Sequence, residues 1–539
     1  MVHTFSLYAP TAPAVAVCCS AWMEAPRSMT RGEDGTWTLE AELPNGQHTY
    51  TFRMQSRSWF EPGKEVDIPD PLSRHVTDDQ RQTILSLPPS GFAESYEWKH
   101  DAVPHPGHEH LAIYELYVQD FSGANGSATF AEVTKRLDYI ADLGCTVVEL
   151  MPIMQAGGWG YTPTFFHAVE PRFGNEKDIC RLVDESHARG MMVFFDGVYN
   201  HASTDCPLAH IDHDCYFHHA PTDPNQSWGP QFNYTLNIPG TTEFPARHFI
   251  KNKVAHWIHV FHFDGIRYDA VSQIDDRPFL SELVDWTRSI AGVKPFFSIA
   301  ECLPIDKAMV GPSGQMDACW NDPFARRMRS LLSGTWDGDA LRRCCDCRLD
   351  GFLSGRDVVN YLGSHDLGHT LRHLLDAGLD EAAGLYRLQL GFIILLTSPG
   401  LPMIWMGDEF GAMDPATTDP HPLPWALMDD PRRREVHGVV KTLLHLRKES
   451  AALRGDEVAE VWAHDEQRVL ILQRWDLAGG RFVIALHIGN GDQAVTFPAP
   501  AAGTWRNCLS AGEYFTDEAG NLQVKLGGWQ ALVLQHMPG

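Results

Sequence analysis

The sequence predicts a (β/α)8 barrel flanked by an N-terminal and a C-terminal β-sandwich. From about residue 111, apolar β-rich segments alternate with segments of helical periodicity, which indicates a parallel sheet covered by helices on both faces. Seven or eight such units in about 340 residues favour a closed barrel over an open sheet. Before and after this region, short alternating segments separated by Gly, Pro and Asn are typical of β-sandwiches.

The N-terminal sandwich is predicted to occupy residues 1–98. Its clearest pattern is "GTWTLEAELPNGQHTYTFRM" (35–54), in which apolar and polar residues alternate on both sides of "PNGQ". We expect "PNGQ" to form a hairpin turn between two paired strands. Trp37 and Tyr50 are expected to fill the core of this small domain. A linker at 100–110 then leads into the barrel.

The barrel is predicted to occupy residues 99–450, with a short excursion at 202–245, and the C-terminal sandwich residues 451–539. The predicted barrel strands are "LAIYELYVQDF" (111–121), "CTVVELMP" (145–152), "MMVFFDGVYNH" (191–201), "FDGIRYDAV" (263–271), "PFFSIAEC" (295–302), "DVVNYLGSHD" (357–366) and "LPMIWMGDEFG" (401–411). The predicted helices between them include 129–144, 176–190, 246–261 and 276–290, which have helical spacing of apolar residues.

Composition narrows the class of protein. A net charge of −26 argues against nucleic acid and anionic membranes as partners and fits a neutral or cationic substrate. No apolar run reaches about 18 residues, so no membrane span is predicted. The first residues make a poor signal peptide, and the 12 scattered cysteines are interpreted as reduced thiols, including those of "CCDC" (344–347). We therefore expect a cytoplasmic enzyme that needs no cofactor.

Chemically useful groups stand at the ends of four predicted strands. They are Asp196, Asn200 and His201 after the third strand, Arg267 and Asp269 after the fourth, Glu301 after the fifth, and His365 and Asp366 after the next. Because the carboxyl ends of barrel strands meet at one rim, these side chains are expected to face a common site. Asp264 stands at the start of its strand, so we expect a structural role for it.

This set of residues suits the cleavage of glycosidic bonds. One carboxylate attacks the anomeric carbon, and a second carboxyl group, held protonated, gives its proton to the leaving oxygen. An arginine such as Arg267 keeps the attacking Asp269 ionised and orients it. Glu301 follows the apolar run "PFFSIA", and we expect desolvation there to keep it protonated.

The motifs resemble those of a known family. "DGVYNH" (196–201), "GIRYDAV" (265–271), "AEC" at Glu301 and "GSHD" (363–366) are similar, in this order, to the four short motifs of the α-amylase superfamily, glycoside hydrolase family 13. "GWGYTP" (158–163) and "GLPMIWMGDEFG" (400–411) are also like it. The N-terminal domain, with its exit "PDPLSR", resembles carbohydrate-binding module 48. The resemblance implies the barrel, α-glucan substrates and a retaining mechanism.

The resemblance also implies a role for each site residue. Asp269 is the nucleophile, Glu301 the general acid/base, and Asp366 the third carboxylate, which stabilises the distorted sugar in the transition state. The substrate-binding residues are Tyr161, which stacks on the sugar, His201 and His365, which hydrogen-bond it, and Arg267, which holds Asp269. Asp196 is the structural aspartate beside Arg267, and Asn200 occupies a position that ligates calcium in classical α-amylases.

Two reactions remain open within the family. Ser364 in "GSHD" and the N-terminal module favour a glucan branching enzyme, in which a sugar 6-hydroxyl intercepts the glycosyl-enzyme. "DGVYNH" and "PHPLPW" (420–425) favour hydrolases, including trehalose-releasing ones. We favour a retaining hydrolase of α-1,4 bonds in starch, glycogen or maltooligosaccharides. A non-catalytic glucan-binding protein is disfavoured because Arg267 and all three carboxylates are present.

Metal sites are not required by this interpretation. The excursion shows no clear set of partner carboxylates for calcium at Asn200, so calcium stays open. The same segment carries His210, His213, Cys206 and Cys215, which are conceivable zinc ligands. We favour instead a loop over the rim, whose imidazoles and aromatic rings contact sugar or water.

Overall fold

The structure is a computed structural model of the chain. It describes residues 1–22, 25–89, 93–122, 128–157, 159–225, 227–238, 241–274, 276–312, 314–415, 417 and 419–537. Gly158, the first residue of "GWGYTP", therefore lies outside the described residues. A closed parallel barrel stands between two regions of antiparallel sheet, so the predicted fold class is confirmed.

Two antiparallel sheets form the N-terminal domain. Its strands are β1 Val2–Tyr8, β2 Val15–Cys19, β3 Arg27–Ser28, β4 Thr30–Arg31, β5 Thr36–Glu42, β6 Gly46–Gln55, β7 Glu65–Ile68 and β8 Thr83–Leu87. One sheet has the order β1-β5-β4, and the other has the order β3-β2-β6-β7 with β8 also on β6. Trp37 and Tyr50 are each 7% exposed, which confirms them as core residues.

The predicted hairpin at "PNGQ" is wrong. Strand β5 pairs along its whole length with β1, and β6 pairs with β2, so the link between them crosses from one sheet to the other. The Leu43 N–H donates to the Met1 carbonyl oxygen at 2.9 Å, which ties this crossing to the first sheet. The turn residues signal only a reversal of the chain, while partner choice depends on distant strands.

The barrel strands close in chain order. They are β9 Ile113–Leu116, β10 Val147–Leu150, β13 Met192–Gly197, β14 Gly265–Tyr268, β15 Phe297–Ala300, β16 Ala318–Trp320, β17 Val358–Tyr361 and β18 Leu401–Trp405; a hairpin of β11 Met154–Gly157 and β12 Thr162–Val169 follows β10. The sequence prediction missed β16, since a strand of three residues is too short to show periodicity. It also made the first strand too long, because the chain turns helical directly after Leu116.

Helices cover the outside of the barrel. They are α1 Val118–Phe121, α2 Phe130–Thr134, α3 Leu137–Leu143, α4 Glu176–Ala188, α5 Leu208–Tyr216, α6 Pro245–Phe261, α7 Arg277–Ala291, α8 Asp322–Ser333, α9 Gly338–Cys345, α10 Thr370–Asp376, α11 Glu381–Thr397, α12 Pro431–Glu449 and α13 Ala451–Arg454. Their ends follow local rules: Asn175 and Asp178 form a capping box at the start of α4. Gly144 ends α3 with φ 108°, a conformation that favours glycine.

Because the barrel strands are pleated, alternate side chains point into the barrel and fill its interior. A lower layer is apolar: Ile113, Val147, Phe194, Ile299, Val359 and Met403 belong to one buried cluster. Two positions further along four of these strands, the inward residues are Glu115, Glu149, Asp196 and Glu301. The interior therefore changes from apolar to ionisable toward the carboxyl ends of the strands.

The C-terminal domain is antiparallel. Its strands are β19 Val458–His464, β20 Val469–Trp475, β21 Arg481–His487, β22 Gln493–Pro498, β23 Thr504–Asn507, β24 Glu513–Phe515, β25 Asn521–Leu526 and β26 Gln530–Met537. Six of them form a sheet of order β19-β20-β21-β26-β23-β24, and β22 pairs with β25 across from it. The 12 cysteines all lie in the described parts of the chain as free thiols. Within those parts, no helix combines the length and the apolar character needed to traverse a membrane.

The excursion at 202–245 contains α5 and packs on the N-terminal domain. The Arg57 Nε donates to Asp212 Oδ2 at 2.7 Å, and the Trp59 ring stacks on His213 at 3.7 Å. His210 Nδ1 lies 3.0 Å from Ser56 Oγ. His210 and His213 therefore contact the N-terminal domain, and the expectation that imidazoles of the excursion contact sugar or water stays a prediction.

The conceivable zinc ligands of the excursion are not gathered into a site. Over the residues that the structure describes, the group with metal-binding spacing is His105, His187 and Asp264, at the opposite end of the barrel strands. Its carboxylate is already paired, because Asp264 Oδ1 lies 2.6 Å from Lys294 Nζ.

Asp264 ties the start of β14 to its neighbours. Its Oδ2 accepts from the Val193 N–H at 2.7 Å and lies 2.9 Å from His187 Nε2, and the whole side chain is buried. Against the effect of burial, His187 and Lys294 hold the pKa of Asp264 below its usual value. Its contribution to stability is therefore present at neutral pH and is lost as the pH falls through this lowered pKa.

We expect Asp264→Ala to lower the free energy of unfolding at neutral pH by about 3–5 kcal/mol, because it removes the carboxylate partner of the Lys294 ammonium and leaves the buried Val193 N–H without its acceptor. Chemical denaturation measures this change. The matched control is Asp67→Ala, which breaks an exposed pair with Arg53 and is expected to cost less than about 1 kcal/mol. Equal effects of the two substitutions would contradict the structural role of Asp264.

Candidate active site

The strand ends converge on one cavity at the carboxyl rim of the barrel. It has a volume of about 370 Å³ and is lined by Tyr161, Thr162, His201, Trp228, Asp269, Ala270, Glu301, His365 and Asp366. Asp269, Glu301 and Asp366 follow or end β14, β15 and β17, so the barrel topology brings the three predicted carboxylates together. Arg267, Asp196 and Asn200 lie directly behind this lining.

Arg267 is the centre of the charge network. Its Nη1 lies 2.6 Å from Asp196 Oδ2 and 2.9 Å from Asp269 Oδ1, and its Nη2 lies 3.1 Å from Glu301 Oε2. The side chain is 1% exposed. Burial alone would lower the pKa of Arg267, but the surrounding carboxylates hold it well above its usual value, so the guanidinium stays charged.

Asp269 is held in place by two donors. Arg267 contacts Oδ1, and the Asn200 Nδ2 donates to Oδ2 at 3.3 Å. Burial raises the pKa of Asp269, and the Arg267 guanidinium acts in the opposite direction. Ionisation of this carboxylate, which a nucleophile requires, therefore depends on Arg267. Asn200, which the family resemblance gives as a supporting residue, donates to Asp269 here; calcium at Asn200 stays the open alternative.

Ala270 shapes the link between the two central carboxylates. Its φ of 43° is in the left-handed region, which an L-residue adopts at a cost of about 1–3 kcal/mol. In this conformation its N–H donates to Glu301 Oε2 at 2.7 Å. The sequence prediction missed this residue, since an alanine carries no signal for a backbone function.

The environment of Glu301 differs from the one predicted. An apolar, desolvated setting was expected from "PFFSIA", but those side chains pack below the carboxyl group. The carboxyl group itself lies between a guanidinium and a backbone N–H. The charged neighbours were not foreseen, because an apolar strand does not show which charged groups stand beside its end, and the protonation expected for Glu301 stays a prediction.

His365 stands between two carboxylates. Its Nδ1 lies 2.6 Å from Glu115 Oε1 and its Nε2 lies 3.2 Å from Asp366 Oδ1. Burial would lower the pKa of His365, but the two carboxylates hold it well above its usual value. Asp366, whose side chain is 55% exposed, has a pKa lowered to about 2 by His365. His365 and Asp366 thus form an ion pair at neutral pH.

Tyr161 and His201 complete the wall opposite the carboxylates. The Tyr161 ring stacks on His365 with centroids 5.0 Å apart, and its hydroxyl donates to Asp196 Oδ2 at 2.6 Å. His201 Nε2 lies 2.7 Å from the Tyr161 carbonyl oxygen, and its Nδ1 contacts Asn200. Burial lowers the pKa of His201 to about 4, so this imidazole is neutral where His365 is charged.

Trp228 is a site residue that the sequence analysis did not name, although it expected aromatic rings of the excursion over the rim. It comes from the excursion, is 48% exposed and lies at the cavity with its ring 5.8 Å from the His201 ring. An exposed indole at the mouth of a polar cavity offers a flat apolar face for stacking. The "SWGP" stretch in the excursion was the only sequence signal for it.

Comparison with known proteins agrees with this geometry. The α-amylase catalytic domain profile matches residues 115–233, and the profile of carbohydrate-binding module 48, the isoamylase N-terminal domain, matches residues 2–73. A malto-oligosyltrehalose trehalohydrolase of Saccharolobus solfataricus is 29% identical over 429 residues, covering 72% of this chain and 70% of that protein. A 1,4-α-glucan branching enzyme GlgB of Corynebacterium efficiens is 24% identical over 573 residues, covering 94% and 74%.

A solved structure shows the same fold at lower identity. The type I pullulanase of Bacillus subtilis in complex with maltose aligns with a TM-score of 0.81 at 18% identity, over 100% of this chain and 84% of that one. The barrel, its rim of carboxylates and these matches are those of an enzyme that acts on glycosidic bonds. Over the barrel the chain is similar to α-glucan-active enzymes of the α-amylase superfamily, glycoside hydrolase family 13, and its first domain is similar to carbohydrate-binding module 48.

We expect Arg267→Gln to reduce kcat/KM at neutral pH by at least about 10²-fold, because it removes the cation that lowers the pKa of Asp269. Without Arg267 the Asp269 carboxylate ionises only at higher pH, so the acidic limb of the pH–rate profile shifts to higher pH. The profile is measured over the range in which both proteins remain folded.

Arg277→Gln serves as the control, since Arg277 forms an exposed ion pair with Asp306 and leaves the rim untouched. Its profile is expected to superimpose on that of the unmodified enzyme. A folded Arg267→Gln variant with an unmoved acidic limb would disprove the dependence of Asp269 on Arg267.

Proposed function

We propose that this enzyme is a retaining hydrolase that cleaves α-1,4-glucosidic bonds of starch, glycogen or maltooligosaccharides. The observation that carries the proposal is one buried guanidinium shared by Asp269 and Glu301, at 2.9 Å and 3.1 Å. Carboxyl groups bound to the two terminal nitrogens of one guanidinium are neighbours, which supports the short separation of retaining glycosidases, about 5 Å. Inverting enzymes instead leave about 6.5–9.5 Å for a water molecule between them.

The proposed reaction assigns a step to each carboxyl group. Glu301 gives its proton to the glycosidic oxygen while Asp269 attacks the anomeric carbon and forms a covalent glycosyl-enzyme. Water then attacks the same carbon, Glu301 takes the proton of that water, and the sugar leaves with its configuration retained. After the first step, the Arg267 guanidinium and the Ala270 N–H stabilise the Glu301 carboxylate. Asp366 binds the hydroxyls of the distorted sugar.

Ser364, which favoured a branching enzyme at the level of sequence, carries less weight in the structure. Its side chain is 1% exposed and its Oγ accepts from the Leu367 N–H at 3.3 Å. The residue shapes the turn after β17 and is absent from the cavity lining. Its identity therefore supports no choice between water and sugar as the acceptor.

A glucan branching enzyme is the second candidate. Trp228 favours the branching reaction, because a half-exposed indole at the cavity mouth can bind an acceptor sugar, which then competes with water for the glycosyl group. The branching enzyme that covers 94% of this chain points the same way. A trehalose-releasing hydrolase has support from the trehalohydrolase relative.

Incubation with amylose, followed by iodine colour and reducing ends together, tests the proposal. We expect colour to fall while reducing ends rise steeply, because water accepts the glycosyl group. A shift of colour with almost no new reducing ends would replace the proposal with the branching reaction. Release of trehalose from maltooligosyltrehalose, with amylose left intact, would replace it with the trehalose-releasing reaction.

We expect Glu301→Gln to lower kcat on maltooligosaccharides by about 10²–10⁴-fold, because the amide cannot transfer a proton to the leaving oxygen. Glu282→Gln, which changes an exposed ion pair on α7, is the matched control and is expected to retain full activity. Unchanged glucan turnover by a folded Glu301→Gln protein would show that another group is the acid.

Trp228→Ala is expected to lower kcat/KM for amylose by about 3- to 10-fold, the loss of one aromatic stacking contact. Since Trp228 is half exposed, the melting temperature should change little. Phe515→Ala, at a 63% exposed aromatic on the C-terminal domain, controls for general surface effects. If the two variants behave alike, Trp228 does not contact the substrate.

A further inference from the structure

Glu115 is a buried carboxylate that the proposed reaction does not use. It lies on β9, two positions beyond Ile113, and points into the barrel below the rim. It is 2% exposed, and its Oε2 has no hydrogen-bond partner among the described residues. The cavity is lined by His365 but not by Glu115, so this carboxylate acts on a substrate only through another side chain.

That side chain is His365. Its Nδ1 donates to Glu115 Oε1 at 2.6 Å, the length of a charge-assisted hydrogen bond, and its Nε2 faces Asp366 Oδ1 at 3.2 Å. Both ring nitrogens therefore point at carboxylate oxygens, and only the doubly protonated ring can donate to both. Tyr161 stacks on one face of the ring at 5.0 Å, and Trp159, Trp320 and Trp405 surround it at 5.9–6.5 Å.

We propose that Glu115 is a positioning residue that holds His365 as an imidazolium, and through it fixes the orientation of Asp366 toward the sugar. Burying a carboxylate at this depth carries a desolvation cost that a neutral residue would avoid. A carboxylate beside His365 is useful because burial of the imidazole among aromatic rings by itself favours its neutral form. The role of Asp366 rests on the proposed function.

The charged groups around His365 support this role. Glu115 and Asp366 touch the ring, Glu149 lies beside Glu115 on β10, Asp269 acts on the ring from the end of β14, and Arg267 acts on Glu115 and Asp366. Burial raises the pKa of Glu115, and His365 and Arg267 act in the opposite direction. Against its burial, Asp366 and Glu115 raise the pKa of His365 well above its usual value. Among the described residues, removal of the Glu115 charge leaves Asp366 as the carboxylate in contact, so the imidazolium then loses its proton at lower pH.

Glu149 provides a matched control. It is the register neighbour of Glu115 on β10, is equally buried at 2%, and also has a carboxylate oxygen without a hydrogen-bond partner in the described structure. Burial raises the pKa of Glu149 well above its usual value, which favours the uncharged carboxyl group. Glu149→Gln therefore makes the same change of atoms in the same layer without removing a charge.

The first test reads the protonation of His365 without any substrate. In the full-length protein with isotope-labelled histidine, the ring signal that disappears in His365→Gln is followed from about pH 5 to about pH 9. We expect it to remain that of the imidazolium in the unmodified protein and in Glu149→Gln, and to titrate in Glu115→Gln. A signal that stays protonated in Glu115→Gln, or titrates in the unmodified protein, would overturn the proposal.

The second test measures kcat/KM on a maltooligosaccharide over the same pH range, with melting temperatures as a check of folding. The ratio of unmodified enzyme to Glu115→Gln is expected to rise about tenfold or more from acid to alkaline pH, while the Glu149→Gln ratio stays flat. Glu115→Asp, which keeps the charge, should restore the shape of the profile at reduced kcat.

A ratio for Glu115→Gln that does not change with pH would mean that Glu115 only fills space. Absence of glucan turnover by the unmodified enzyme would instead refute the proposed function and leave the titration of His365 to decide the role of Glu115.

Discussion

The active site depends on one buried guanidinium. Arg267 contacts Asp196, Asp269 and Glu301, which come from three adjacent strands of the barrel. Without a cation, three carboxylates at this depth would repel one another and take up protons. Arg267 allows them to stand together, one fixed as a support and two available for chemistry, so the double-displacement reaction that we propose rests on this residue.

The barrel supplies Arg267 with these neighbours through strand register. Asp196 on β13 lies level with Arg267 on β14, and the chain after β14 and β15 adds Asp269 and Glu301 one level higher. Because parallel strands are held by evenly spaced hydrogen bonds, a shift of one residue would turn each of these side chains to the outer face. The stability of the apolar layer below is therefore what keeps the charged layer aligned.

Two histidines with opposite charge states line the active-site cavity. His201 is neutral because burial lowers its pKa, and His365 is charged because Asp366 and Glu115 enclose it. Tyr161 lies between them, stacked on one ring and bonded to the other through its backbone. The site thus presents a neutral polar wall and a charged wall to a ligand that carries no charge itself, which suits the hydroxyl groups of a sugar.

Much of this protein was determined by its sequence alone. The barrel, the flanking sheets and the gathering of Asp269, Glu301 and Asp366 follow from strand-length motifs, since every strand of a barrel delivers its end to one rim. Which residues and strands that lie far apart in the sequence contact one another was decided only by the tertiary structure. Glu115 and His365 stand 250 positions apart, β5 and β6 separate into different sheets despite "PNGQ", and Glu301 lies beside Arg267 rather than among apolar groups. The local sequence pattern determines which strand a residue follows. Its contacts with residues of other strands depend on how all the strands pack together.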